Sequence, residues 1–238
     1  MNLILFAPEE LARPLAPGDP RAEHLRTTLR RQAGDSFDAG LVNGPRGRAR
    51  IDAIDAAGLH LSFAWGPIPP PLPPLALVAG LPRPQTARDI LRDATTLGAT
   101  ALHFVQTEKS ERSYASSALW RDEWRRHVIA GAQQAFDTRI PEVTHGRPLR
   151  AALEALPAGG ARLALDPYEA TAALAAALPA LVAPCALAIG PERGWTAADR
   201  AELRAAGFSL VHLGARVLRT ETAVVAALTL ARSRLDPA

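Results

Sequence analysis

Cysteine and lysine are almost absent from this chain of 238 residues, and each scarcity narrows the possible functions. Cys185 is the single cysteine, so no intramolecular disulfide can form, and no secretory leader precedes the first predicted strand; we therefore expect a protein of the reducing cytoplasm. Lys109 is the single lysine among 27 basic residues, and the formal net charge is only +3. Net charge alone therefore does not indicate nucleic acid, and any basic face must be a local patch.

Phosphate-binding motifs are missing as well. Neither G-x-x-x-x-G-K nor G-x-G-x-x-G occurs, which argues against a nucleotide-binding α/β enzyme that holds phosphates in a glycine-rich loop. We expect no metal site. Residues 170–191 carry no charge and are numerous enough to suggest a membrane span, but Pro179 and Pro184 interrupt them. A helix, a turn and a buried strand explain this segment better, so no membrane partner is expected.

A proline-rich segment divides the chain. Six of the residues at positions 67–74 are proline, which excludes a helix or a central strand there. We interpret it as a linker between domains at 1–66 and 75–238, although a surface loop within one domain is the alternative. The first domain is predicted to be a small β-barrel with strands at 3–6, 36–42, 48–54 and 59–65, and one helix at 21–31.

After the linker, strands and helices alternate, which predicts an α/β domain with a parallel sheet covered on both faces. Strands are predicted at 75–80, 101–106, 162–165, 185–189 and 208–213, with a further short one at 142–144. Helices are predicted at 86–97, 117–136, 149–156, 169–178, 197–206 and 221–232. Thr196 and Asp199 form a capping-box pattern that fixes the start of one helix.

Two loops near the carboxyl terminus carry the strongest functional signal. The apolar runs at 185–189 and 208–213 each end in a glycine, Gly190 or Gly214, and a polar loop follows each one, GPERGW or GARVLRTET. Glycine permits the abrupt turns that such strand exits need. Loops that leave the carboxyl ends of neighbouring strands build a crevice, which is where open α/β sheets bind ligands.

These two loops resemble the cofactor-binding motif pair of the SPOUT methyltransferases. Within that superfamily the chain is similar to the bacterial 16S ribosomal RNA uracil-N3 methyltransferases, which write the pair as IGPEGG(F/L)(S/T) and LG-RILRTETA. The match is nearly letter for letter over residues 189–196 and 213–223. Weaker matches lie at His24-Leu25, Leu29-Arg30, Gly34-Asp35, Leu97-Gly98, residues 107–110 and residues 140–142.

The resemblance implies a fold and a reaction. It implies a SPOUT domain with a deep trefoil knot, a PUA-like β-barrel at the amino terminus and a homodimer formed through the knot region. It also implies S-adenosylmethionine as cofactor, small-subunit ribosomal RNA as partner and N3 of a uridine in 16S ribosomal RNA as the methylated atom.

A methyl donor of this kind needs an apolar slot for its adenine, with free backbone groups at the edge. The residues predicted to bind it are Leu165, Ile189, Gly190, Pro191, Glu192, Gly194, Leu213, Gly214, Val217, Leu218, Thr220 and Thr222. For each apolar residue taken singly, ordinary core packing is the alternative. Glu192 is expected either to bond backbone amides near the helix that starts at Thr196 or to order the ribose or the loop. Thr220 and Thr222 are candidates for a helix cap that also contacts the ligand.

Arg219 and Glu221 are the predicted catalytic residues. Uracil N3 is a weak acid, so an arginine near O4 or O2 would stabilise the developing anion, and a carboxylate or a water would accept the proton. The alternative is an Arg–Glu ion pair that only shapes the loop.

Five arginines are predicted to meet RNA phosphates, although a solvated charged face is the alternative for any one of them. Arg48 and Arg50 are expected to point to the same side, because alternate residues of a strand share a face. The predicted RNA-binding residues are Arg26, Arg30, Arg46, Arg48 and Arg50.

Departures from the family pattern keep a second hypothesis open. Arg193 stands where the family keeps glycine, and Asp93, Thr96, Phe136 and Asp137 also differ. The alternatives are a divergent paralogue that acts on another RNA, and a non-catalytic RNA-binding or ribosome-assembly factor.

Overall fold

The chain divides into two compact units in the computed structural model, which describes residues 3–236. Unit 1 contains the residues up to Pro71 and the segment Ala132–Ile140, and unit 2 contains Leu72–Gly131 and the residues from Pro141 onward. Residues 67–74 lie outside helices and strands, as the prolines predict. The predicted domains, 1–66 and 75–238, stay a prediction, and their outermost residues at 1, 2, 237 and 238 lie outside the described range.

Four strands form the sheet of unit 1 in chain order: β1 (Ile4–Phe6), β2 (Ser36–Leu41), β3 (Arg46–Asp55) and β4 (Gly58–Trp65). β1 runs parallel to β2, and the other pairs are antiparallel. In β3 the buried Ala49 and Ile51 alternate with the exposed Arg48 and Arg50, as expected for a strand with one face on the core. The four predicted strands are confirmed, and closure of the sheet into a barrel stays a prediction.

The helix predicted at 21–31 is too long. Helix α1 covers Pro20–Glu23, a π-helical turn covers His24–Thr28, and Arg30 has a left-handed backbone with φ of 51°. The N–H of Arg31 donates to the carbonyl of Leu25 at 2.9 Å, so the chain reverses there. A left-handed residue with a backward hydrogen bond is a common helix end, and it explains why the helix does not reach residue 31.

Unit 2 contains a parallel sheet of seven strands: β5 (Leu75–Gly80), β6 (Ala101–Gln106), β7 (Glu142–Pro148), β8 (Ala161–Leu165), β9 (Ala172–Ala173), β10 (Cys185–Ile189) and β11 (Ser209–His212). Their order is β7-β6-β5-β10-β8-β11-β9. All five residues of β10 are buried. A strand buried on both faces requires cover on both sides of the sheet, so the predicted parallel, doubly covered sheet is confirmed.

Helices follow most of the strands: α2 (Pro84–Thr96), α3 (Trp124–Gln134), α4 (Leu149–Glu154), α5 (Leu174–Ala177), α6 (Ala197–Ala205) and α7 (Thr220–Leu235). Among the described residues, no helix combines the length and the apolar character that a membrane crossing needs.

Two of the predicted helices differ from the structure. The helix predicted at 169–178 is wrong in its first half, because Ala172 and Ala173 pair with Val211 and His212 of β11 instead. Backbone pairing with β11 outweighs the strong intrinsic helix preference of alanine there, because propensity is overridden by tertiary context. The helix predicted at 117–136 begins as a π-helical turn, Leu119–Glu123, and regular helix ends at Gln134, before Phe136 with its positive φ of 57°.

Candidate functional site

The predicted crevice exists at the carboxyl ends of three neighbouring strands. β8 lies between β10 and β11, and these strands end at Leu165, Ile189 and His212. The crevice between the loops that follow encloses about 690 Å³, with the solvent at its open mouth included. It is lined by Leu165, Asp166, Pro167, Tyr168, Ile189, Gly190, Pro191, Glu192, Gly194, Trp195, His212, Leu213, Gly214, Arg216, Val217, Leu218, Thr220 and Ala223.

Eleven of the twelve residues predicted to bind a cofactor line this crevice, and Thr222 is the exception. Leu165 and Ile189 are buried, whereas Val217 and Leu218 are 73% and 36% exposed. Large apolar side chains that stay uncovered beside a concave surface are suited to hold an apolar ligand group. The structure therefore brings the two predicted loops together as one apolar slot.

The loop after β10 turns sharply because of two glycines. A Cβ added to Gly190 would lie 3.2 Å from both Gly194 Cα and Trp195 N, so this turn has little space for a side chain. Gly194 has a φ of +67° and its N–H donates to the carbonyl of Pro191 at 2.7 Å. The predicted capping box between Thr196 and Asp199 is confirmed at the start of α6.

Trp195 is a crevice residue that the sequence analysis did not single out. Its indole N–H donates to the carbonyl of Leu165 at 3.0 Å, and its side chain is buried. The loop after β10 is thereby tied to the end of β8. The motif already has a large apolar residue at this position, which indicates burial. The motif does not show that the indole would bond to Leu165.

Glu192 bonds a different helix from the one expected. Its Oε1 accepts a 3.0 Å hydrogen bond from the N–H of Arg83, the N-cap residue of α2, and not from the start of α6. A carboxylate there satisfies an otherwise unpaired amide and lies at the positive end of the helix dipole. Sequence could not reveal this contact because 109 residues separate the partners.

The loop after β11 is shaped by His212 and Gly214. The N–H of Gly214, whose φ is +105°, donates to Nδ1 of His212 at 3.0 Å. A nitrogen that accepts this bond carries no proton, so the ring proton lies on Nε2. His212 was not predicted as a site residue, although it occupies the last position of the strand.

The start of α7 differs from the expectation that a threonine caps it. The N-cap is Arg219, without a side-chain capping bond, while Thr220 is the buried first residue of the helix and Thr222 is exposed in its first turn. Among the described residues, Arg219 and Glu221 do not form the ion pair considered as their alternative role. Neither lines the crevice, but Arg219 lies between Leu218 and Thr220, which do.

Asp166 is the most buried charged residue of the crevice lining, at 1% exposure. Its Oδ1 accepts hydrogen bonds from the N–H groups of Tyr168 and Glu169, both at 2.7 Å, and its Oδ2 accepts one from Nε of Arg200 at 2.6 Å. Burial alone would raise the pKa of Asp166, but the bonds from Glu169, Arg200 and Tyr168 lower it below the usual range. The carboxylate is therefore charged and fully engaged.

The arginines predicted to bind RNA differ in whether their side chains already have partners within unit 1. Arg46 donates to the carbonyl of Phe136 at 2.9 Å and lies 5.4 Å from the centre of its ring, while Arg48 pairs with Asp38 at 3.4 Å. Arg26, Arg30 and Arg50 are exposed. Among the described residues these three form no ion pair.

The residues that depart from the family pattern have local partners. Asp137 pairs with Arg139 at 2.9 Å, Asp93 pairs with Arg92 at 2.8 Å, and Thr96 donates to the carbonyl of Arg92 at 2.9 Å. The carbonyl of Arg193 accepts a 3.1 Å bond from Nζ of Lys109, and its side chain is exposed. The substituted acidic residues are therefore neutralised by neighbouring arginines.

Known proteins resemble the chain along nearly its whole length. The model of a family described as RNA methyltransferase domain matches residues 69–232. The ribosomal RNA small subunit methyltransferase E of Treponema pallidum is 37% identical, and the alignment covers 95% of this chain and 89% of the relative. The protein of the same name from Synechocystis is 30% identical, with 98% and 78% covered.

A solved structure also agrees. The ribosomal RNA small subunit methyltransferase E from Neisseria gonorrhoeae, bound to S-adenosyl methionine, superposes with a TM-score of 0.77 at 26% identity, covering 96% of this chain and 95% of that one. The resemblance that the two loop motifs indicate is thus confirmed: the chain belongs to the RNA methyltransferase family.

Proposed function

We propose that this protein transfers a methyl group from S-adenosylmethionine to N3 of a uridine in 16S ribosomal RNA. The observation that carries the proposal is the crevice at the carboxyl ends of β8, β10 and β11, where eleven of the residues predicted to bind the donor meet, ten of them from the motif pair. The relative from Neisseria gonorrhoeae binds S-adenosyl methionine, and the relative from Treponema pallidum is named as a small-subunit ribosomal RNA methyltransferase.

The crevice residues fit this donor. The exposed Val217 and Leu218, together with the buried Leu165 and Ile189, would supply apolar walls for an adenine ring. The turns at Gly190 and Gly214 bring backbone groups to the crevice edge, where ribose hydroxyls need partners. The donor, when bound, supplies an activated methyl group, so the task of the protein is to orient the acceptor and to remove its proton.

Arg219 and Glu221 are proposed to act on the uracil. Arg219 is exposed at the start of α7, beside the crevice-lining Leu218 and Thr220. Its guanidinium would stabilise the negative charge that develops on O4 or O2 as N3 loses its proton. Glu221, in the first turn of the same helix, would accept that proton, directly or through a water.

The finer parts of the fold belong to the proposal too. A trefoil knot is supported by the position of β10, which comes late in the chain and yet lies between β5 and β8. A homodimer formed through this region is supported by α7, on which Val225 stays 38% exposed. The residues of 1–66 are proposed as a PUA-like RNA-binding barrel and those of 75–238 as the SPOUT domain. An enzyme of ribosomal RNA would work in the cytoplasm.

The proposed RNA contacts lie on the arginines of unit 1, Arg26, Arg30 and Arg50 in particular, because their guanidinium groups are exposed and form no ion pair among the described residues. A non-catalytic RNA-binding or assembly factor is the second candidate function. Arg193 favours it, since a long cation replaces a glycine in the donor loop.

The test compares wild-type protein with Arg219→Ala. A strain that lacks the gene is complemented with each form, and small-subunit RNA is digested for nucleoside mass spectrometry. We expect 3-methyluridine with the wild type and much less of it with Arg219→Ala. Binding of S-adenosylhomocysteine and RNA without any change in modified nucleosides would favour the assembly factor, and no binding of S-adenosylhomocysteine would refute the methyltransferase.

A further inference from the structure

Tyr168 is an exposed aromatic residue on the lining of the crevice. The residue is 72% exposed, compared with 38% for Phe136. One ring edge lies close to the loop after β10, since a Cβ added to Gly194 would be 3.7 Å from its Cε2. The ring therefore spans from the loop after β8 to the loop after β10.

The position of this ring is set by a buried ion pair. Asp166 holds the backbone N–H groups of Tyr168 and Glu169 with one oxygen and the guanidinium of Arg200 with the other. The guanidinium carbon of Arg200 also lies 5.9 Å from the centre of the Tyr168 ring, within the range of a cation–π contact. Arg200 thus contacts both the Asp166 carboxylate and the Tyr168 ring.

A second ion pair fixes the far end of the same loop. Glu169 accepts from Arg204 at 2.6 Å and lies 3.3 Å from Arg200. Both arginines belong to α6, whose start is set by the capping box at Thr196. The loop after β8 is therefore bonded to α6 at two positions, Asp166 and Glu169.

We propose that Asp166 and Arg200 are positioning residues that hold Tyr168 as the outer wall of the slot for the adenine of the methyl donor. This inference rests on the proposed function. A flat, exposed ring on the lining of an apolar slot offers the adenine a stacking surface in addition to the aliphatic walls. Rigid positioning of the ring matters because ordering a mobile side chain on binding costs free energy, which would offset part of the stacking free energy.

The experiment measures binding of S-adenosylhomocysteine by calorimetry, without RNA. Tyr168→Ala is expected to raise the Kd about tenfold, and Tyr168→Phe to leave it within about twofold, because stacking needs the ring and not the hydroxyl. Arg200→Met is expected to raise the Kd as much as Tyr168→Ala does. The double variant should have a Kd no higher than that of either single variant, because a misplaced ring already contributes no stacking free energy. Arg150→Met, which removes an exposed arginine paired with Glu154 on α4, is the matched control and should bind as the wild type does.

Thermal melting accompanies each titration, so that an unfolded Arg200→Met is recognised; the tyrosine pair then decides by itself. If wild-type protein binds but Tyr168→Ala binds equally well, the inference is overturned while the proposed function stands. The same holds if Tyr168→Ala changes only the KM for RNA, which would assign the ring to the target base. If wild-type protein does not bind S-adenosylhomocysteine, the proposed function fails and the inference fails with it.

Discussion

The indole N–H of Trp195 donates a 3.0 Å hydrogen bond to the carbonyl oxygen of Leu165, and both residues are buried. This bond joins the loop after β10 to the last residue of β8, and both strands contribute to the crevice. Two residues that are 30 positions apart in the sequence are thereby joined on one side of the crevice. The bond therefore links the stability of the fold to the shape of the crevice.

Trp195→Phe is expected to lower the free energy of unfolding by about 1–3 kcal/mol, since the buried carbonyl of Leu165 loses its donor. The affinity for S-adenosylhomocysteine should fall in parallel, because the two loops no longer share a fixed distance. Urea denaturation and calorimetry measure these two changes. Trp124→Phe is the control, on α3 and outside the crevice lining; an equal loss of affinity in both variants would contradict the assigned role.

Arg219→Ala and Glu221→Gln are expected to lower the methylation rate about 100-fold and to leave the affinity for S-adenosylhomocysteine within about twofold. The reason is that both side chains lie beside the crevice and not on its lining. Single-turnover assays with RNA measure the first effect and calorimetry the second. A large loss of donor affinity with an unchanged rate would assign the two residues to binding.

The sequence predicted the elements of the fold better than their junctions. Strand positions follow from local alternation and apolar runs, so the strand at 185–189 was predicted to the residue. The helix end at Arg30 depends on one left-handed residue, and the strand at Ala172 and Ala173 depends on an edge of β11 that only the folded sheet presents. Local propensity has no information about either.

The residues of the site were likewise predicted better than the contacts between them. The motif pair identified the loop residues, because a sharp turn and an apolar slot need particular residue types. Asp166 and Arg200 were not identified as a pair, since they are 34 residues apart and neither belongs to a motif. The N–H of Arg83 that donates to Glu192 at the start of α2, and the bond of Trp195 to Leu165, were missed for the same reason. Contacts between distant segments decide how a site is held, and one sequence does not display them.

Arg50→Ala is expected to weaken RNA binding more than Arg48→Ala. Arg50 forms no ion pair among the described residues, whereas Arg48 already pairs with Asp38 at 3.4 Å. Each phosphate contact that is lost should reduce the slope of log K against log salt by about 1. Filter binding at several salt concentrations gives the slope. Asp38→Asn should strengthen binding by releasing Arg48, and a weaker complex would show that Asp38 orders the contact.

Cys185 is expected to resist alkylation while the protein is folded. The residue is 2% exposed in β10, and burial raises the pKa of its thiol to about 11, so almost no thiolate is present at pH 8. Mass spectrometry after iodoacetamide should find the folded protein unmodified and the urea-unfolded protein fully modified. Rapid modification of the folded protein at pH 8 would show that β10 opens readily.

Acid should destabilise the protein partly through Asp166. The carboxylate is favoured in the folded state, where its pKa is lowered by the bonds from Glu169, Arg200 and Tyr168 in spite of burial. A lowered pKa stabilises the folded state above the unfolded value of about 3.9, and this contribution disappears as the pH falls through the folded value. Asp166→Asn should therefore lower the free energy of unfolding at pH 7, and the difference from wild type should shrink below about pH 4. Urea titrations at pH 7, 5, 4 and 3 measure it, with the exposed Asp122→Asn as control. A difference that stays constant down to pH 3 would mean that Asp166 contributes through hydrogen bonding alone and that its charge is not what holds Arg200.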